Sequence, residues 1–369
     1  MVAFWRPSLG SCSWPHQSNN ASSSIADRDY VKVAVLTDPQ LMDRTSLPLP
    51  PKSLALELAQ FFADLFMRRA FHQSVLPLQP DVIFFLGDYF DGGPYLSDEE
   101  YSNIPVYYLS GNHDIGYGIL HSRRAEAIKR YEKEFGSRNY RFAVGKVEFI
   151  AIDAQTIDGN PQGILTSSTH DFIKNVSMDV QAYPRVLLTH IPLYRQDWTD
   201  CGPNRNSEIV NQRILRSADG QEVVYQNYIT EESSKYLLDS IQPVLVLSGH
   251  DHDQCHVIHE SKYGPVGEYT VGTVSWQQGN LYPSFIRGTA VMRPTARKNS
   301  SQEIEVTVNA DTDTDAVFDP MAKLLPRASR SWTKRVIKRL VRTFRMVIII
   351  AAVNVPLYVM LLFKDWIDQ

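Results

Sequence analysis

From Val31 onward the chain alternates short, nearly continuous apolar runs with longer segments in which apolar residues return every three or four positions. The runs "VKVAVLT", "DVIFFLG", "PVYYLSG", "VEFIAID", "RVLLTH" and "PVLVLSG" read as buried strands. Between them, a helix is expected from Lys52 to about Leu76, with Leu54, Leu58, Phe61, Phe62, Leu65 and Phe66 at helical spacing. Further helices are expected over Ile119–Phe135, Ser167–Val180 and Glu231–Ile241. The stretches "CHVIHE", "GEYTVGTVS", "FIRGTAVMR" and "EIEVTVNA" close the series as strands separated by turns. Strands alternating with helices predict an α/β body with parallel pairing, and the closing strands predict an antiparallel portion. No internal repeat is visible.

The remainder divides by composition. Residues 1–30 are polar and rich in serine and proline, and are expected to be a disordered leader to a domain spanning 31–310. They lack the apolar stretch of a signal peptide. Residues 311–345 read as an acidic, proline-broken linker running into a basic neck. Residues 346–363, "MVIIIAAVNVPLYVMLLF", carry no charge, and eighteen residues of helix span about 27 Å, enough for a bilayer core. A C-terminal transmembrane helix is therefore expected, either as a tail anchor or as partner to a segment preceding this sequence.

Charge sharpens the division. The chain has 37 basic and 41 acidic residues, and eight of the basic ones lie between Arg327 and Arg345 with no acid among them. Taking those eight away leaves 29 against 41, a body at −12. An acidic body does not suit a nucleic-acid backbone, so no nucleic-acid partner is expected; it does suit cations. Three cysteines, Cys12, Cys201 and Cys255, are too few for a disulfide framework. Cys201 and Cys255 leave two readings open, a bridge near the site or two buried thiols. Sequons stand at Asn20, Asn175 and Asn299, about the number chance supplies. The polar stretch from Gln196 to Tyr228 reads as a surface insertion, a common place for substrate choice to be set.

Candidate chemistry gathers where the strands end. Asp38 and Gln40 follow the first, Asp88 and Asp91 the second, and Asn112, His113 and Asp114 the third. His190 follows "RVLLT", and "SGHDHD" supplies His250, Asp251, His252 and Asp253. The C-terminal edge of a sheet is where α/β folds build their sites. Any one of these residues could be a turn or cap; five clusters in this order point to metal binding. The order Asp38-Pro39-Gln40, Gly87-Asp88-Tyr89-Phe90-Asp91, Gly111-Asn112-His113-Asp114, His190, Gly249-His250-Asp251-His252 resembles the calcineurin-like metallophosphoesterases over roughly Val31 to Arg293.

The resemblance implies a four-layer α/β/β/α sandwich and two divalent cations, Mn²⁺ foremost, with Mg²⁺, Zn²⁺ or Fe as the other candidates. One cation would lie between Asp38, Asp88 and His252, with Gln40 standing where the family usually has histidine. The other would lie between Asp88, Asn112, His190 and His250, so that Asp88 bridges. Ions about 3.5–4 Å apart acidify a bridging water and hold a phosphoryl group for in-line attack. His113 would protonate the leaving oxygen, Asp91 would orient His113, and Asp114 and Asp253 would orient ligands. A glutamine oxygen binds a hard cation but is a weaker ligand than imidazole for a softer one.

The details "GDYFDGG", "GNHDIGYG", "THIPLYR", "SGHDHDQC", Ser275-Trp276 and "YPSF" at 282–285 resemble the membrane-bound Ted, Cdc and PGAP group. Its members remove ethanolamine phosphate from the mannoses of GPI anchors in the early secretory pathway. That resemblance implies a phosphodiesterase, a GPI glycolipid substrate and an endoplasmic reticulum or Golgi membrane, with the domain in the lumen. The basic neck by itself predicts a cytosolic domain. The alternatives are a cytosol-facing, tail-anchored phosphatase of phosphoproteins or nucleotides, and a binding scaffold with weakened catalysis.

Overall fold

The computed structural model describes residues 30–71, 75, 78–92, 107–123, 125–202, 205, 207, 210–275, 284–291 and 306–309, all within one compact unit, Ser8–Thr312. The expected leader, linker, neck and membrane helix lie outside the described residues, as do Trp276 and the sequons at Asn20 and Asn299. Among the described residues no helix is long and apolar enough to cross a membrane.

The first third of the unit runs β1 (Tyr30–Leu36), α1 (Leu54–Ala70), β2 (Val82–Phe85), β3 (Tyr107–Tyr108), α2 (Asn112–Ile115), α3 (Gly118–Arg123) and α4 (Ala125–Phe135). Next come β4 (Tyr140–Val144), β5 (Val147–Ile152), α5 (Ala154–Ile157), α6 (Ile164–Met178), β6 (Arg185–Thr189), β7 (Ile214–Arg216) and β8 (Val223–Gln226). The unit ends with α7 (Glu231–Ile241), β9 (Pro243–Ser248), β10 (Cys255–Ser261), β11 (Gly264–Thr270), β12 (Phe285–Val291) and β13 (Val306–Asn309). One sheet has the order β13-β12-β1-β2-β3, the other β10-β11-β9-β6-β5-β4. The strands that precede the candidate ligands are parallel: β1, β2 and β3 in one sheet, β6 and β9 in the other. The antiparallel pairs lie outside them, at β1/β12, β12/β13, β10/β11 and β4/β5.

The two-residue period of the strands explains the layers. Val31, Val33 and Val35 of β1 enter one core with Phe84, Phe149, Val186, Leu188, Leu245 and Leu247, drawn from both sheets. The alternate residues of the larger sheet, Ile150, Ile152, Leu187 and Val246, meet Ile173 and Val176 of α6 and Leu237, Leu238 and Ile241 of α7. On the far side of the smaller sheet, Tyr108 and Phe85 meet Ile128, Tyr131 and Phe135 of α4. Strands buried on both faces need apolar residues at consecutive positions, which is why their sequences read as continuous runs.

Helix α1 departs from its pattern. The stripe that predicts it points outward, with Leu54, Leu58, Phe61 and Phe62 between 45% and 71% exposed. The buried side is the opposite one, formed by Leu56, Ala63 and Met67. Helix α1 is described over Leu54–Ala70, and every described residue of the expected helix over 119–135 is helical, in α3 and α4 on either side of residue 124.

The described residues of the insertion include the β7/β8 hairpin, and its Cys201, Val210 and Tyr228 form a small core with Cys255 of β10, to which Cys201 is disulfide-bonded.

Candidate metal centre

Each ligand-bearing segment continues beyond its strand and stays paired to its neighbour. Asp38 N donates to Gly87 O (3.1 Å), Gln40 N to Asp88 O (3.0 Å) and Leu41 N to Tyr89 O (2.8 Å), which extends the β1/β2 pairing. In the other sheet Gly249 N donates to His190 O (2.9 Å). The ligand segments are thus extensions of rigid strands.

They are also strained. Among the described residues nine non-glycine positions have positive φ, and five of them are Asp38 (49°), Gln40 (44°), Asp88 (52°), His250 (67°) and His252 (58°). For L-residues this conformation costs roughly 1–2 kcal/mol each, and it persists where surrounding structure over-determines it, typically at functional sites. The motif glycines make room for the crowding. A Cβ on Gly249 would stand 2.0 Å from Thr37 Oγ1 and 3.0 Å from Asp38 Oδ2. Gly87 has φ +99°, and a Cβ there would stand 2.5 Å from His190 Nδ1.

Two groups of side chains converge and share Asp88. In one, Asp38, Asp88 and His252 bring ligand atoms within 4.8 Å of one another; in the other, Asp88, His190 and His250 do the same. Asn112 Oδ1 lies 3.1 Å from His190 Nε2, and Gln40 Nε2 lies 3.3 Å from Asp88 Oδ2 and 3.0 Å from His252 Nε2. All seven residues expected as ligands therefore meet in one place. Asp38, Gln40, Asp88 and His190 are fully buried.

The hydrogen bonds around the imidazoles fix which nitrogens face inward. His190 Nδ1 lies 2.7 Å from Leu86 O and His250 Nε2 lies 3.0 Å from Gln226 O. Carbonyls only accept, so these nitrogens carry the protons and leave His190 Nε2 and His250 Nδ1 toward Asp88. Such outer partners are typical of metal-binding histidines.

Several acceptor lone pairs converge with nothing to receive. Asp38 Oδ1, Gln40 Oε1 and His250 Nδ1 are buried without a hydrogen-bond partner. Neither orientation of the Gln40 amide resolves the crowding. If Nε2 donates to His252, the imidazole lone pair faces Asp38 Oδ1 at 3.3 Å; if the amide is turned, its oxygen faces Asp88 Oδ2. Orphaned buried acceptors cost about 1–3 kcal/mol each, and a cation among them removes the conflict. The donor set of carboxylate, amide oxygen and imidazole suits Mn²⁺ or Zn²⁺ better than a purely oxygen-seeking ion. The residues present fit a pair of divalent cations.

Electrostatics follow from the burial. Burial acts to raise the Asp88 carboxyl, yet His190 and His113 hold it well below the ordinary carboxylate range. Burial likewise opposes charge on His190, and Asp88 overrides it, raising His190 to about 9. His250 goes the other way, lowered by burial and by His190 to about 4.

His113 stands at the edge of the pair, its Nε2 3.9 Å from Asp88 Oδ2 and its backbone N donating to Asp88 Oδ1 (2.7 Å). Burial disfavours its charged form, but Asp88 and Asp91 outweigh that and raise its pKa. Its Nδ1 meets the main-chain carbonyl of Asp91, while the Asp91 carboxylate stands 3.6 Å away. Asp91 thus holds the ring through its backbone. Burial also raises the Asp91 carboxyl.

Asp114 takes no part in either group. Its carboxylate accepts from Tyr89 N (2.8 Å), Phe90 N (3.2 Å) and Gly111 N (2.9 Å), binding the second ligand segment to the third. Burial and the nearby Asp88 raise it to about 7. Asp253 accepts from Ser207 N (2.8 Å), reaching into the insertion.

Three residues absent from the sequence expectations also matter. Asp43 accepts from Gly92 N (2.6 Å), and Glu268 and Arg205 anchor the histidine segments, as developed below. No signal marked them, because each acts across a large sequence separation.

Comparison with known proteins accords with this geometry. The chain is 30% identical over 276 residues to Cell division control protein 1 of Saccharomyces cerevisiae, covering 69% of this chain and 54% of that protein. It is 31% identical over 283 residues to Metallophosphoesterase 1 of Cricetulus griseus, covering 68% and 69%. The chain therefore spans about half the length of the yeast relative. A solved phosphopantetheinyl hydrolase from Mycobacterium tuberculosis overlaps with a TM-score of only 0.36 at 11% identity, covering 68% of this chain and 93% of that one, too slight a likeness to inform the site. The calcineurin-like phosphoesterase signature matches residues 31–254, which hold every ligand segment, and the chain belongs to that family.

Proposed function

We propose that this protein is a dinuclear, metal-dependent phosphodiesterase. The observation that carries the reading is the pair of buried ligand groups joined at Asp88, with orphaned acceptor atoms aimed between them. Asp38, Gln40, Asp88 and His252 would hold one cation, and Asp88, Asn112, His190 and His250 the other. Bound there, the cations would supply the positive charge that acidifies water and neutralises a phosphoryl group.

The chain's own residues do the rest. Asp88, ionised by its histidine neighbours, joins the two ion positions. His113 is half-exposed beside it, and Asp88 and Asp91 favour its protonated form, so its ring is placed to give a proton to the leaving alkoxide. The Asp91 carbonyl fixes the ring, and Asp114 fixes the loops on either side. Strand-end positioning and positive-φ backbone hold these groups in place before substrate arrives.

The substrate in this reading is ethanolamine phosphate linked to GPI-anchor mannose, and the setting is a membrane of the early secretory pathway. The similarity of the strand-end motifs to the Ted, Cdc and PGAP group supports the substrate. The Cys201–Cys255 bridge supports a lumenal domain, since such bonds persist in oxidising compartments. The eight basic residues before 346 support the other reading, a cytosol-facing phosphatase on a tail anchor. Asn175, exposed on α6, separates the two: glycosylation there requires the lumen.

Hydrolysis of bis-p-nitrophenyl phosphate against p-nitrophenyl phosphate, with Mn²⁺, Mg²⁺ or Zn²⁺, tests the reaction class. Metal-dependent diester turnover that disappears in Asp88→Asn and His113→Ala is expected. A preference for the monoester would favour the phosphatase reading, and no turnover by folded protein would favour the scaffold.

A further inference from the structure

The turn from Gly249 to Gln254 has an unusual burden. It presents one histidine to each ligand group, His250 to one and His252 to the other. Both histidines sit at positive φ, 67° and 58°. The strain totals about 2–4 kcal/mol and must be held by contacts from outside the turn.

On the sheet side the turn has Gly249 N to His190 O (2.9 Å), His250 N to Asp38 Oδ2 (3.0 Å) and Thr273 N to His252 O (3.2 Å). From the opposite side the contacts come from the segment 196–228. Arg205 clasps Asp251 with two parallel bonds, Nη1 to Oδ2 (2.8 Å) and Nη2 to Oδ1 (3.0 Å), and reaches Gln254 O (3.4 Å). Tyr228 Oη donates to Asp251 Oδ2 (3.1 Å), and Ser207 N donates to Asp253 Oδ2 (2.8 Å). Gln226 O receives His250 Nε2, and Cys201 is bonded to Cys255, immediately beyond the turn. The Arg195 guanidinium, fully buried, lies 4.8 Å from the centre of the Tyr228 ring and 3.9 Å from Asp251, backing the same clasp.

We propose that segment 196–228 is a strut for the two-histidine turn, with Arg205 and the Cys201–Cys255 bridge as positioning groups that set the affinity of both ion positions. The proposal rests on the reading that His250 and His252 bind cations. A surface loop that only shaped substrate entry would need none of these bonds. Here they converge on Asp251 and Asp253, which alternate with the ligand histidines along the chain, and on Cys255 just beyond them. Because the bridge is one arm of the strut, the cation sites are strongest in an oxidising compartment.

The test is Mn²⁺ titration of the metal-stripped full chain in detergent, reading free Mn²⁺ by its six-line electron paramagnetic resonance signal. Wild type is expected to bind two ions. Arg205→Met, and wild type reduced with a non-thiol phosphine, are each expected to bind about 10–100-fold more weakly, the usual cost of losing an outer partner. Arg205→Lys, which keeps charge but loses the fork, is expected to fall between. Tyr228→Phe is a milder variant, expected to weaken binding about threefold even if Arg205→Met fails to fold. Arg185→Met breaks a buried ion pair with Glu148 (2.9 Å) on another part of the sheet and controls for general destabilisation.

Unchanged affinity in Tyr228→Phe and in reduced protein overturns the strut. So does an equal loss in Arg185→Met, which would make the effect one of stability alone. If wild type itself binds no Mn²⁺ or Zn²⁺, the metal reading fails and the strut with it.

Discussion

Replacing Glu268 by glutamine tests how the two ligand-bearing strand ends of the larger sheet are held together. Glu268 lies on β11, fully buried, and accepts four bonds: Leu193 N (3.0 Å), Ser248 Oγ (2.7 Å), Arg195 Nη2 (3.0 Å) and His259 Nε2 (2.8 Å). Leu193 is three residues beyond His190 and Ser248 is two before His250, so one carboxylate clips both segments. Burial acts to raise it, but Arg195 and His259 prevail and lower it from 4.5 to about 2. A difference of that size corresponds to about 3 kcal/mol of stability. Because the folded pKa is below the unfolded one, this contribution is complete above about pH 4.5 and is lost as pH falls toward 2.

Glu268→Gln removes the charge at every pH and leaves Arg195 buried without its close partner, a change that costs about 3–5 kcal/mol. For a domain of this size that is a melting temperature lower by about 6–15 °C at pH 7. Thermal melts of wild type and variant, taken from pH 7 down to pH 2.5, should show the gap closing over the acid range. A gap under about 1 kcal/mol at pH 7, or one that ignores pH, would refute the clip.

Other outcomes follow from the same geometry. Gln40→His should raise affinity for Zn²⁺ relative to Mn²⁺ by roughly tenfold, measured by chelator competition, because imidazole replaces a hard oxygen; an unchanged ratio means Gln40 is not a ligand. Asp91→Asn keeps the backbone carbonyl that holds His113, so it should cost less than about tenfold in diester turnover, whereas His113→Ala should cost about 10²–10⁴-fold. Equal losses would return the orienting role to the Asp91 carboxylate. Leu56→Ala should destabilise by about 2–5 kcal/mol, while Phe61→Ser should change stability by about 0.5 kcal/mol in chemical denaturation. The reverse ranking would mean that α1 is turned the other way.

Much of this site was legible in the sequence for one physical reason. Strands buried on both faces must be apolar throughout, so polar residues such as Asp88 or His190 stand out where the run ends. The parallel order of the strands then gathers those ends at one edge. What stayed hidden depends on distance or on backbone geometry. Arg205 and Asp251 are 46 positions apart, as are Ser207 and Asp253, and Cys201 is 54 from Cys255, so composition alone leaves their pairing open. The left-handed turns at Asp38, Gln40, Asp88, His250 and His252 have no local signature beyond the tolerance of aspartate and histidine for positive φ. Strands β4, β7 and β8 are short or alternate with exposed residues and lack the apolar run that betrays the others. In α1 periodicity correctly marks a helix, but the tertiary contacts choose which side it buries.

Everything proposed for the site depends on Asp88 joining two cations. Metal content and Mn²⁺ resonance spectra of reconstituted full-length wild type and Asp88→Asn measure this directly. Two ions per chain with the spectrum of a magnetically coupled pair are expected for wild type, and at most one uncoupled ion for the variant. A single ion in saturated wild type, or an intact coupled pair in Asp88→Asn, would contradict the shared carboxylate and the two-metal site built on it.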